Sequence, residues 1–156
     1  MKMEIYYYSK LSDKKKTIEL LKTLYNITNE IESDYPLHYS WFFEKFINGL
    51  SNGSREIIYC EVDSVPVGVA FLKKTNEEKK ICTIFVKEEF RKCGIGTKIL
   101  EHSFEFLGTK KPLISMPIHK EKCFQKVIDK YEWNKKQIID ACYSDNKEIV
   151  FNGILI

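Results

Sequence analysis

Positions 91–97 read Arg-Lys-Cys-Gly-Ile-Gly-Thr, and Lys98 follows. Glycines at 94 and 96 let the backbone come close to a ligand and adopt dihedrals that other residues avoid. Arg91, Lys92 and Lys98 surround them with positive charge. If a helix begins here, its first N–H groups have no partner within the helix and carry the positive end of its dipole. Glycine, cation and helix start together make an anion site, usually for phosphate. Residues 91–97 therefore predict a phosphate-bearing ligand.

The flanking residues supply the elements that would position this loop. Residues 81–86, Ile-Cys-Thr-Ile-Phe-Val, form a short apolar run rich in β-branched and aromatic types, the pattern of a buried strand. Residues 87–93 are polar and charged and read as a loop. Ile95, Ile99, Leu100, Ser103, Phe104 and Leu107 then recur at a spacing near that of a helix, and Gly108 is placed to stop it. A dinucleotide-binding fingerprint would need a third glycine at position 99, which is Ile99, and Gly96-Thr97-Lys98 has the wrong order for a Walker A loop.

What remains, Arg91-Lys-Cys-Gly94-Ile-Gly96, resembles the Arg/Gln-x-x-Gly-x-Gly/Ala signature of the GNAT acyltransferase superfamily, with the usual strand before and helix after. Glu88-Glu89-Phe90 makes an acidic-aromatic lead-in. The resemblance implies that acetyl-CoA or coenzyme A is bound. Its pyrophosphate would rest on the loop residues Arg91, Lys92, Cys93, Gly94, Ile95, Gly96 and Thr97. The main chain of Ile84, Phe85 and Val86 would hold the pantetheine arm, with the N–H of Phe85 or Val86 donating to the thioester carbonyl.

Turn residues and periodicity give the remaining elements. A strand is expected at 4–8, helices at 14–28 and 40–50 with Ser40 as N-cap, and strands at 55–62, 65–73 and 81–86. After the central helix come a strand at 112–116, a helix at 120–131 and closing strands at 137–143 and 148–155. The order is βααβββαβαββ, an α+β (mixed α/β) chain. The GNAT resemblance implies the same order, in three layers around a mostly antiparallel sheet with one splayed parallel pair.

The 156 residues suit one compact domain, read here as a single N-acetyltransferase-like domain over 1–156. A hydrophobic content of 44% and a charged content of 30% are ordinary for a globular chain. The net charge of +3 is too balanced to argue for nucleic acid or a membrane surface. Cys60, Cys82, Cys93, Cys123 and Cys142 are odd in number and lack CxxC spacing, which argues for a reducing compartment and against a disulfide framework or zinc site. No signal peptide is visible, no run approaches the ~18 apolar residues of a membrane span, and a cytoplasmic location is expected.

Acyl transfer to an amine requires a positioned thioester, a donor to its carbonyl, removal of a proton from an amine of pKa about 10.4, and departure of a thiolate. Many relatives carry a base six residues before the position of Val86. That position is Lys80, so Glu78, two residues earlier and on the same side by strand alternation, becomes the candidate base. The tyrosine that often serves as acid falls on Ile128, and an asparagine often found earlier falls on Glu121. Tyr131 is the candidate acid, with His119 and Cys123 as alternatives. Cys93, beside Lys92 and a helix start, could form a mixed disulfide with coenzyme A.

By analogy with the family, the acceptor would lie between residues 33–41, rich in aromatics (Tyr35, His38, Tyr39, Trp41), and residues 144–147. Those aromatics serve either a flat, apolar amine or the packing of the first helices. The expected activity is N-acetyltransferase: direct transfer from acetyl-CoA to a primary amine, on a small molecule or a protein. A homodimer is compatible, and the alternative is a coenzyme A-binding or interaction module without turnover.

Overall fold

A computed structural model describes residues 2–140 and 147–155. Strands β1 (Met3–Tyr7), β2 (Arg55–Val62), β3 (Val65–Lys74) and β4 (Lys79–Val86) form one antiparallel sheet in that order. Strands β5 (Ile114–Pro117), β7 (Lys147–Phe151) and β6 (Lys135–Asp140) form a second antiparallel sheet, with β7 in the middle. One parallel bridge joins the two, between Lys80 of β4 and Leu113. The expected element order and the splayed parallel pair are both present.

Helix α1 (Ile18–Ile27) begins later than the periodicity suggested, because the Thr17 hydroxyl accepts from the Leu20 N–H at 3.1 Å and caps it there. The helix expected at 40–50 is broken. Helix α2 (His38–Glu44) starts earlier, after Leu37, so Ser40 is not its N-cap, and Phe46–Gly49 continues as a 3-10 turn. Phe42 and Phe46 both pack on Phe71 of β3 across the break, at ring-centroid distances of 4.8 and 5.3 Å. The region after β5 divides likewise into a 3-10 segment (Ile118–Phe124) and a short α4 (Gln125–Lys130). β7 ends at Phe151, earlier than expected, because Asn152 turns left-handed (φ 66°) and its side-chain amide bonds to the Pro112 carbonyl at 2.8 Å. Residues 141–143 of the expected sixth strand lie outside the described residues.

Two cores flank the sheets. On one side α3 (Ile95–Leu107) lays Ile95, Ile99, Leu100, Phe104 and Leu107 on Ile58, Ala70 and Leu72. That core continues onto Ile114, Met116, Ile149 and Phe151, so it spans both sheets. On the other side Leu24, Tyr25, Phe42 and Phe46 cover Ile57, Val69 and Phe71. Gly68 of β3 lets α3 approach, since a Cβ there would lie 2.9 Å from the Ile99 Cδ1. No helix among the described residues is long and apolar enough to cross a membrane.

Candidate active site

Among the described residues, main-chain pairing between β4 and the segment leading into β5 is confined to the Lys80–Leu113 bridge. Leu113 accepts from the Ile81 N–H at 3.0 Å and donates to the Lys79 carbonyl at 2.8 Å. Beyond that point the strands part, and a cleft of about 720 Å³ fills the opening. Its lining includes β4 from Lys80 to Val86, β5 from Ile114 to Pro117, and Arg91, Gly96 and Thr97 at the start of α3.

Main-chain direction along β4 follows from one bond. The Lys87 N–H donates to the Val67 carbonyl at 2.8 Å, so by antiparallel alternation the Phe85–Val69 and Thr83–Phe71 pairs carry the ladder bonds. The main-chain groups of Ile84 and Val86 then point away from β3, into the opening. Arg91 Nε donates to the Val86 carbonyl at 2.9 Å from that side. Of the two N–H groups expected to face the thioester, that of Phe85 is therefore committed to β3 and that of Val86 is free of it. Cys82 is the extra residue of a bulge between the pairs Leu72–Ile81 and Phe71–Thr83.

The loop has the geometry of an anion cradle. Lys92 (φ 63°) and Gly94 (φ 85°) are both left-handed, a backbone pattern that turns successive N–H groups toward one point. Lys98 is the first residue of α3 to bond backward, to the Gly94 carbonyl at 3.1 Å, which leaves the N–H groups of Ile95, Gly96 and Thr97 without a partner inside the helix. A Cβ on Gly96 would meet only the Val86 Cγ2, at 3.8 Å, and its backbone is helical. Neither crowding nor conformation requires glycine at 96, and its face lies open on the cleft. Cys93 is exposed, with Sγ 3.5 Å from the Arg91 carbonyl.

The family model described as Acetyltransferase (GNAT) family matches residues 18–113, more than half of the chain. The chain belongs to this family. Several solved structures share its fold. An acetyltransferase of the GNAT family from Bacillus cereus is 17% identical, with 97% of this chain and 96% of that one covered and a TM-score of 0.65. The PaiA N-acetyltransferase from Thermoplasma acidophilum, solved with coenzyme A, is 21% identical over 96% and 98%, with a TM-score of 0.63. A GNAT family acetyltransferase from Elizabethkingia anophelis with acetyl-CoA bound is 16% identical over 96% and 95%, with a TM-score of 0.61. No curated protein gives a match.

Within this GNAT fold the two candidate catalytic side chains lie apart. Glu78 lines the closed end of the cleft, where its carboxylate holds Lys73 Nζ at 2.9 Å. Burial alone would raise its pKa, but the Lys73 hydrogen bond and the charges of Lys73, Lys80 and Arg55 outweigh it and hold the carboxyl below its ordinary value. Tyr131 does not line the cleft. It caps the end of α4 and packs edge-on against Phe104 at 4.8 Å, on the apolar face that seats α4 on α3. Of the alternatives, His119 bonds to Asp34 across the cleft mouth at 3.1 Å, and Cys123 is exposed and lines the cleft. The aromatic connection both packs and borders the cleft. Tyr35, His38 and Trp41 line the cleft, while His38 is also buried, stacks on Trp41 and shares a 2.9 Å hydrogen bond with Thr28.

Glu148 on β7 was not singled out from the sequence. It is 4% exposed, and its Oε2 has no hydrogen-bond partner among the described residues. Burial, with the Asp34 charge adding to it, raises its pKa against the opposing Tyr35 hydrogen bond and the charges of Lys80 and His119. Register gives its level. Lys80 is opposite Leu113, so Pro117 comes level with Ile84 and Phe85 across the opening, and Pro117 pairs with Glu148. Ile149 and Phe151 face the α3 core, so Glu148 faces the other way, toward Tyr35. In the sequence only a lone acid at the head of an apolar run, Glu148-Ile-Val-Phe, hinted at this.

Proposed function

We propose that this protein transfers an acetyl group from acetyl-CoA to a primary amine by direct attack while both are bound, within one domain spanning residues 1–156. The observation that carries this reading is the opening of β4 from β5 beyond the Lys80–Leu113 bridge, onto which the first amides of α3 and the outward main chain of Ile84 and Val86 converge. When bound, acetyl-CoA supplies an activated thioester. The N–H groups of Cys93, Gly94, Ile95, Gly96 and Thr97 would hold its pyrophosphate, with Arg91 and Lys92 adding charge. Ile84 and Val86 would bond the pantetheine arm, and the Val86 N–H, preoriented by the strand, would donate to the carbonyl as charge develops.

Glu148 is the base in this reading. An ammonium of ordinary pKa must lose a proton before it attacks, and a carboxyl raised by burial is better matched to that task than one held low. Glu148 does not itself line the cleft, so the proton passes to its carboxylate across the bonded Tyr35 hydroxyl, which does. Glu78 acts as the counter-ion of Lys73. The thiolate departs without a dedicated acid, since Tyr131 packs on α3. The acceptor, a small-molecule or protein amine rather than nucleic acid, enters beside Tyr35 and Trp41. The free thiols of Cys60, Cys82, Cys93 and Cys123 suit the reducing cytoplasm.

The test is thiol release from acetyl-CoA across a panel of primary amines, with calorimetry on coenzyme A in parallel. Amine-dependent release is the expected result. Binding without release for any amine would leave a coenzyme A-binding module, and absence of binding would refute the site itself.

A further inference from the structure

We infer that the acceptor carries an anionic group, a carboxylate or a phosphate, seated at the closed end of the cleft. The inference rests on the N-acetyltransferase reading above. Its basis is a row of cations assembled by sheet register. Arg55 of β2 is directly opposite Lys73 of β3, and Lys73 is directly opposite Lys80 of β4. Directly opposed residues project from the same face, so three positive side chains stand side by side on three adjacent strands. All three are half-buried and line the cleft, and Lys45 joins them from the end of α2.

Like charges placed directly opposite one another destabilise a sheet, so such a row calls for a counter-charge. The protein supplies little. Glu78 is bound to Lys73. Glu148 acts on Lys80 from behind, but the hydrogen bond it makes is to Tyr35. Arg55 feels the Glu78 charge without pairing with it: its guanidinium lies 5.5 Å from the Phe46 ring centroid, and its Nη1 is 3.5 Å from the Cys82 Sγ. Among the described residues, Lys45, Arg55 and Lys80 make no ion pair. Asp34, the other acid lining the cleft, is engaged by His119 at the mouth.

Distance limits the ligand. Lys80 precedes Ile84 by four residues, so the row lies within about 13 Å of the segment that would hold the thioester, at ~3.3 Å per strand residue. An acceptor with an amine at one end and an anion a few bonds away covers part of this, and the long Arg55, Lys73 and Lys80 side chains that line the cleft cover the rest. A polyamine would carry its second charge into a cationic pocket.

The test uses chain-matched acceptors with acetyl-CoA: butylamine, putrescine, 4-aminobutanoate and 3-aminopropyl phosphate. The expected result is a kcat/KM at least tenfold higher for the carboxylate or phosphate amine than for butylamine or putrescine, and which of the two anions leads identifies the group. Arg55→Gln and Lys80→Gln, each checked for an unchanged melting temperature, should cut that preference about tenfold, mainly through KM. Equal or better use of butylamine or putrescine would overturn the inference, as would an unchanged preference in both variants. If no amine is acetylated, calorimetry on the coenzyme A complex still decides. Binding of 3-aminopropyl phosphate over propylamine, lost in Arg55→Gln, would support the anion site while refuting the transfer reading, and equal binding would overturn the site.

Discussion

Gly96→Ala separates what the fold needs from what the ligand needs. Gly96 is helical, and an added Cβ would sit 3.8 Å from Val86 Cγ2, an ordinary contact. Replacing a helical glycine by alanine removes conformational freedom from the unfolded chain, so the variant should be more stable by about 0.5–1 kcal/mol. Coenzyme A should respond in the opposite sense. Helical Cα–Cβ bonds tilt toward the N-terminus, so the new methyl leans over the open amides of Ile95 and Gly96. Losing one charge-assisted hydrogen bond to the pyrophosphate costs about 1.5–3 kcal/mol, or roughly ten- to a hundredfold in Kd. Urea denaturation and isothermal titration with coenzyme A on the same preparation read both effects. A more stable protein whose Kd stays within twofold of wild type would refute the reasoning, because the pyrophosphate could not then lie against this turn. Gly94→Ala is the contrast: its φ of 85° makes alanine cost about 1 kcal/mol of stability, and both readouts should fall together.

Glu148→Gln should lower kcat by about a hundredfold or more, and a kcat within threefold of wild type would remove Glu148 as the base. The same variant tests burial: a carboxyl whose folded pKa is raised costs the wild type stability as pH climbs from the ordinary carboxylate value through the raised one. Denaturation curves should therefore show Glu148→Gln gaining on wild type above that window and not below it. His38 carries the opposite sign, since burial lowers its pKa from 6.5 to about 4 and the unfolded chain binds its proton first on acidification. Stability should fall by about 2–3 kcal/mol between those values, and His38→Gln should flatten the slope; parallel pH profiles would count against it. Gly68→Ala forces a Cβ to 2.9 Å from Ile99 Cδ1 and 3.3 Å from Ile95 Cγ2 and Val86 Cγ2, so it should cost about 1–3 kcal/mol in urea, and an unshifted midpoint would show that α3 yields freely.

The sequence alone determined the local features. The strand before residue 87, the cationic loop, the glycine at 94 and the helix from Ile95 to Gly108 were all legible, because β-branched runs, helical periodicity and glycine stops act within a few residues. The left-handed Gly94 and Gly108 are the observed form of those stops. Tertiary structure decided whatever depends on register between distant strands. Arg55, Lys73 and Lys80 are far apart in the chain and become one row only when β2, β3 and β4 pair in one register. Glu148 reads as an ordinary surface acid until β5 and β7 pair and bury it behind Tyr35. Tyr131 reads as a donor near the loop until the short α4 turns it onto Phe104. Side-chain chemistry is written in the chain, but which groups share a cleft follows from pairings that no local pattern encodes.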